Sequence, residues 1–168
     1  LLENKNVFPP SRILETACGT GRITLPLARH GYDLIAIDQS EEMLGIAQQK
    51  TMKAGLSTRF VSGDMMSFRL AKPVDAIVCA CDGVNYLVRD SDPAKFFTTC
   101  WHNLKLGGVL MFDISSYSKI TKTLGNNLYY DDREDVTCLW QNKLTGELLH
   151  MELTLFIRED NLYRRMDE

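Results

Sequence analysis

The chain has 168 residues, enough to bury a sizeable apolar core without disulfides and within the usual range for one domain. A hydrophobic share of 45% against 24% charged excludes a disordered chain, and no apolar run reaches the roughly 18 residues a membrane-crossing helix needs. The net charge of −3, with both signs interspersed, leaves no broad footprint for nucleic-acid phosphates or a membrane surface, so neither partner is expected. The opening residues LLENKNVFPP lack a basic stretch followed by an apolar one, and the sequence reads as cytoplasmic. Five cysteines without CxxC spacing read as reduced, mostly buried thiols, and three scattered histidines give no reason to expect a metal.

Short apolar runs alternate with amphipathic ones, the pattern of a parallel sheet wrapped by helices. Leu1 and Leu2 read as the last turn of a helix, followed by a strand at 12–16, a glycine turn and a helix over 23–30. Pro26 falls in that helix's opening turn, where few backbone donors are engaged. A strand at 33–37 leads to a helix over 41–53, with Ser40 as N-cap and Glu41 and Glu42 at the positive end of its dipole. Gly31 and Gly55 stand where C-terminal caps belong. Further strands are expected at 58–61, 75–80 and 108–114, with a helix over 93–104 stopped by Gly107 and Gly108. Beyond Ser116 the pattern becomes antiparallel, with strands at 136–141, 147–157 and 161–165 joined by turns at LTGE and REDN. The acidic run Asp131, Asp132, Glu134 and Asp135 reads as a solvated loop, and Tyr86, Tyr129, Tyr130 and Trp140 read as core before ligand contacts. The expected fold is α/β: a Rossmann-like, doubly wound, mainly parallel sheet over 1–116, then an antiparallel β lid over 117–168.

The most informative stretch is ILETACGTGRITLPLARHGYDLIAIDQSEEML, residues 13–44, which runs strand, glycine turn, helix, strand, acidic residue. That order is a mononucleotide-binding half. Gly19 and Gly21 let the backbone turn tightly and approach a ligand. Asp38, seventeen residues after Gly21 at the end of the second strand, is placed to accept from both hydroxyls of a ribose, which implies an adenosine moiety. Thr24 stands where the third glycine of the dinucleotide fingerprint belongs, so GxGxxG is broken. Glu15, four before Gly19, suits a cofactor carrying an ammonium and a sulfonium and would repel a pyrophosphate.

With E-x-A-C-G-x-G the sequence resembles the class I S-adenosylmethionine-dependent methyltransferases, whose first motif is an acidic residue before a glycine-rich loop. The resemblance continues through VSGDMM (61–66), CACDGVNYL (79–87) and KLGGVLMFDISS, and is close to small bacterial members with a β lid after the fifth strand through NNLYYDDRED. It implies S-adenosylmethionine as cofactor, held by Glu15, Ala17, Cys18, Gly19, Thr20, Gly21, Asp38, Gln39 and Met43, and by Asp64, Met65, Cys81 and Asp82. Within that set it implies that Asp64 takes the adenine amino group, that the Met65 amide takes a ring nitrogen, and that Met43 packs on the adenine face. Cys18 and Thr20 act through backbone, Cys81 and Asp82 lie beside the methionyl part, and Asn85 and Tyr86 lie toward the substrate.

The function these features imply is methyl transfer to a small-molecule acceptor by in-line displacement. No Ser/His/Asp or Cys/His constellation identifies a catalytic residue; Asp82, Tyr86 and Asp113 are the strand-end groups available to take a proton. The competing readings are a non-catalytic adenosylmethionine-binding module and a nucleotide-cofactor oxidoreductase, the second disfavoured by Thr24 and Glu15. The resemblance also implies a helix before the first strand and a further helix and strands completing a seven-stranded sheet. A sheet ending at 108–114 has an apolar edge, so residues 1–168 are expected to lack those terminal elements.

Overall fold

Alternation of side chains along each strand sends one set of apolar residues to either face of a sheet, and here both faces are covered. The computed structural model describes residues 1–168 and divides into two units, Leu1–Ile114 and Ser115–Glu168. In the first, β1 (Arg12–Thr16), α1 (Thr24–Arg29), β2 (Asp33–Asp38), α2 (Glu41–Lys53), β3 (Arg59–Ser62), β4 (Val74–Cys79), α3 (Asp92–Asn103) and β5 (Leu104–Phe112) follow in order. Their sheet is wholly parallel, ordered β3-β2-β1-β4-β5. One face gathers Ile13, Leu34, Ala76 and Val78 with Leu2, Val7 and Tyr32; the other gathers Leu14, Ile35, Ile37 and Ile77 with Phe96 and Cys100 of α3. Strand order reverses between β1 and β4, and such a switch point opens a crevice at the carboxyl ends of the strands.

The caps of α2 behave as their residue types require. Ser40 Oγ accepts the Met43 amide at 3.2 Å. Gly55, at φ +66°, ends the helix with Gly55 N–H donating to Met52 O and Leu56 N–H to Thr51 O, both at 3.0 Å, a Schellman closure.

Four expectations need correction. Leu1 and Leu2 do not end a helix: Leu2 precedes a 3-10 turn at Glu3–Lys5 and is buried near Val7 and Tyr32, whose hydroxyl donates to Val7 O at 3.0 Å. Gly107 and Gly108 do not stop α3, which ends at Asn103; that buried side chain donates to Phe68 O and Thr99 O and accepts the Leu70 amide. Strand β5 therefore starts at Leu104, opposite Val74, and ends at Phe112, with the glycines inside an irregular stretch of its ladder. A Cβ on Gly108 would lie 2.9 Å from Lys105 O and 3.2 Å from Asp75 O, so only glycine passes there.

The second unit holds a π-turn (Lys119–Leu124) and the antiparallel sheet β6-β7-β8-β9: β6 (Leu128–Asp132), β7 (Val136–Thr145), β8 (Leu148–Glu159) and β9 (Leu162–Asp167). The third correction is β6, which occupies part of the run read as a loop. Asp131 and Asp132 are solvated as expected, but on an edge strand, where Asp132 accepts the Thr137 hydroxyl and Asp131 pairs with Arg133 at 2.6 Å. Charge on an edge is how sheets discourage further pairing. The fourth concerns the aromatics: the Tyr129 and Trp140 rings meet at 5.5 Å between centroids, tilted by 46°, while Tyr130 and Tyr86 are exposed rather than core. No helix is long and apolar enough to cross a membrane.

Candidate cofactor site

The carboxyl ends of β1, β2, β3 and β4 carry the residues singled out in the sequence. The loop after β1 has three residues with positive φ, Ala17 at 51°, Gly19 at 52° and Gly21 at 78°. It is tied down from below by Cys18 N–H donating to Ile37 O at 3.1 Å. Asp38 ties it from the side: Oδ2 accepts the Gly19 amide at 2.7 Å and Oδ1 accepts the Ser40 amide at 2.9 Å. The carboxylate thus shapes the loop besides having lone pairs for a ligand. Lys50 Nζ donates to both the carbonyl and the hydroxyl of Thr20 at 3.0 Å, a strap from α2.

The two loop glycines do different jobs. At Gly19 an added Cβ would meet only Met43 Sδ, at 3.8 Å, so this side of the loop is open. At Gly21, which is buried, it would lie 3.0 Å from Ala47 Cβ and 3.2 Å from Leu25 Cδ1. The space a side chain at Gly21 would need is thus filled by Ala47 of α2 and Leu25 of α1.

Glu15 lies beneath the loop, only 2% exposed, with Thr24 Oγ1 donating to its Oε2 at 2.6 Å. Burial pushes its carboxyl up to about 7 from an ordinary 4.5, with Asp38 adding to the rise and the Thr24 hydroxyl and amide opposing it. The folded protein then keeps a proton that the unfolded chain releases above its ordinary value. Glu15's contribution to stability is full below pH 4.5 and lost as pH rises through about 7, a loss of about 3 kcal/mol. Glu15→Gln is expected to abolish that fall, leaving the variant the more stable protein at about pH 8 and close to the parent near pH 4.5, as read by urea unfolding. A parent whose stability is flat across this range would refute the assignment.

At the end of β3, Ser62 pairs with Asp38 and the Gly63 amide donates to Asp38 O at 2.9 Å, so Asp64 follows directly beside Asp38's strand. Asp64 Oδ1 accepts the Met66 amide at 2.8 Å, and the Met65 side chain is buried with the α3 face of the core. Gln39 is exposed. After β4, Cys81 and Asp82 are consecutive left-handed residues at φ 61° and 62°, leading into a 3-10 turn, Gly83–Tyr86, in which the Asn85 amide donates to Asp82 O at 2.9 Å. Cys81 is exposed, against the expectation for the thiols; Cys18 is buried and pushed up to about 12 by desolvation, with Glu15 and Asp38 adding to the rise. Thr24, Lys50, Gly83 and Asp113 are site-shaping residues that the sequence reading did not assign to the cofactor. Thr24 stood out only as the break in the glycine fingerprint and Asp113 only as a strand-end group, while Gly83 carried a turn signal in its D-G pair.

A parallel sheet with a glycine loop after β1, an acidic residue after β2 and a turn crossing from β4 defines a Rossmann-like nucleotide-cofactor protein. The family described as methyltransferase domain matches residues 13–108, and the chain belongs to it. The chain is 35% identical over 160 residues to YqeM of Bacillus subtilis (strain 168), a protein assigned as a methyltransferase, covering 94% of this chain and 64% of that one. It is 32% identical over 117 residues to the ubiquinone biosynthesis O-methyltransferase of Xylella fastidiosa (strain 9a5c), covering 68% of this chain and 44% of that one. Among solved structures, an S-adenosylmethionine-dependent methyltransferase from Clostridium acetobutylicum ATCC 824 superposes with a TM-score of 0.92 at 34% identity, covering 99% of this chain and 68% of that one.

Proposed function

We propose that the chain binds S-adenosylmethionine across the ends of β1 to β4 and directs its methyl group to a small-molecule acceptor in the cytoplasm. The observation that carries the reading is Glu15: a buried carboxylate that joins no ion pair and has Asp38 and two cysteines as its titratable neighbours. Such a group is satisfied by a cationic ligand and not by a pyrophosphate. The open side of Gly19, with Met43 Sδ above it, fits a flat ring on the loop. By this reading Asp38 accepts from the ribose hydroxyls, Asp64 from the adenine amino group, and the Met65 amide donates to a ring nitrogen. Ala17, Cys18, Thr20 and Gln39 border the ligand, with Cys81 and Asp82 at its methionyl end and Asn85 and Tyr86 toward the acceptor. The cofactor supplies a methyl group already activated on a sulfonium. The chain's part in an in-line displacement is to hold two reactants aligned. The protein named above as acting in ubiquinone biosynthesis supports a small-molecule acceptor, as does the interspersed surface charge; five free thiols suit a reducing compartment.

Incubation with methyl-labelled S-adenosylmethionine and separate pools of metabolites, RNA and protein tests this. Label is expected in the metabolite pool; label in RNA or protein contradicts the acceptor class, and tight binding without transfer to any pool contradicts catalysis.

A further inference from the structure

The turn after β4 holds two consecutive non-glycine residues in the left-handed region, Cys81 and Asp82. Each is a conformation that persists only when surroundings impose it. The β4–β5 ladder ends at Cys79 opposite Phe112, and the next residue of β5's chain, Asp113, reaches across: its Oδ1 accepts the Asp82 amide at 3.0 Å while its own amide donates to Cys79 O at 3.4 Å. The turn in turn bears on the glycine loop. A Cβ on buried Gly83 would lie 2.8 Å from Cys79 Sγ and 3.2 Å from Ala17 Cβ, and Ala17 is the first left-handed residue of that loop.

We propose that Asp113 is a positioning residue for the cofactor site, its carboxylate holding the Cys81–Asp82 turn in register against Ala17. This rests on the cofactor reading above and assigns to Asp113 a role other than proton acceptor. A strap of this kind works by accepting one hydrogen bond, so an amide oxygen can replace it. A turn that no longer needs strain should not need the strap.

Calorimetry with S-adenosylhomocysteine, at a temperature where circular dichroism shows every variant folded, is the test. Asp113→Ala is expected to bind about tenfold more weakly, the loss of one charge-assisted bond that restrains strained backbone. Asp113→Asn should stay within about threefold of the parent, because its oxygen accepts the same amide. Adding Cys81→Gly to Asp113→Ala should recover most of the loss, since glycine takes a positive φ without cost. A group acting only as a base, or only on global stability, would move none of these affinities. Parent-like binding by Asp113→Ala, or Asp113→Asn as weak as Asp113→Ala, overturns the proposal while leaving the cofactor reading intact. A parent protein that does not bind S-adenosylhomocysteine overturns both.

Discussion

Gly21→Val is expected to destabilise the chain by about 3 to 5 kcal/mol, the sum of left-handed strain in a branched residue and overpacking of a filled interior. Gly21 sits at φ +78°, and its absent Cβ would be 3.0 Å from Ala47 Cβ and 3.2 Å from Leu25 Cδ1. The Ala47 backbone, at 3.4 Å, leaves the helix no slack to retreat. Gly19 is the internal control: its φ is also positive, at 52°, but the space beside it is open, so Gly19→Ala should cost only about 1 kcal/mol of stability. Urea unfolding of both variants measures the contrast. A Gly21→Val protein as stable as Gly19→Ala would mean that α2 does not press on the loop.

Asp38→Ala is expected to weaken S-adenosylhomocysteine binding by about 1 to 3 kcal/mol, roughly fivefold to 150-fold, from the hydrogen bonds to ribose that the proposed site would lose. It should also lower stability by about 2 kcal/mol, since the Gly19 and Ser40 amides that donate to Asp38 at 2.7 and 2.9 Å lose their acceptor. Asp38→Asn should fall between, because one side of its amide turns a donor toward a donor. Calorimetry beside circular dichroism checks both halves. Unchanged affinity in a folded Asp38→Ala protein would place the ribose elsewhere.

Legibility in the sequence followed the range of the interactions. The strands β1, β2 and β4 and the helix α2 could be read because burial on both faces of those strands writes continuous apolar runs, and Ser40 and Gly55 act on backbone within a few residues of themselves. The strand β6 was not readable: four of its five residues are exposed, so LYYDD shows no alternation, and its pairing is set by Trp140 across the hairpin. Gly107 and Gly108 resemble a helix stop, and only the distant Val74 and Asp75 make them part of a strand. At the site, Glu15, Gly19, Asp38 and Asp64 stood out because a ligand-binding loop needs those residue types at fixed offsets. The contacts of Thr24 with Glu15 and of Asp113 with Asp82 cross between elements 9 and 31 residues apart, and no local pattern announces them. The Glu15 carboxylate lies beneath the loop, held by the Thr24 hydroxyl, and that contact too is invisible in the E-x-A-C-G-x-G spacing.

The most direct measurement of the central claim is the change in melting temperature of this chain with S-adenosylhomocysteine and, separately, with NAD. A ligand bound only by the folded state stabilises by mass action, about 2.7 kcal/mol at a hundredfold excess over its dissociation constant, which moves a domain of this size by several degrees. S-adenosylhomocysteine is expected to produce that rise and NAD none. Equal rises with both, or a rise with NAD alone, would contradict a site built around Glu15, Gly19 and Asp38 for an adenosyl cofactor that carries its charge as a cation.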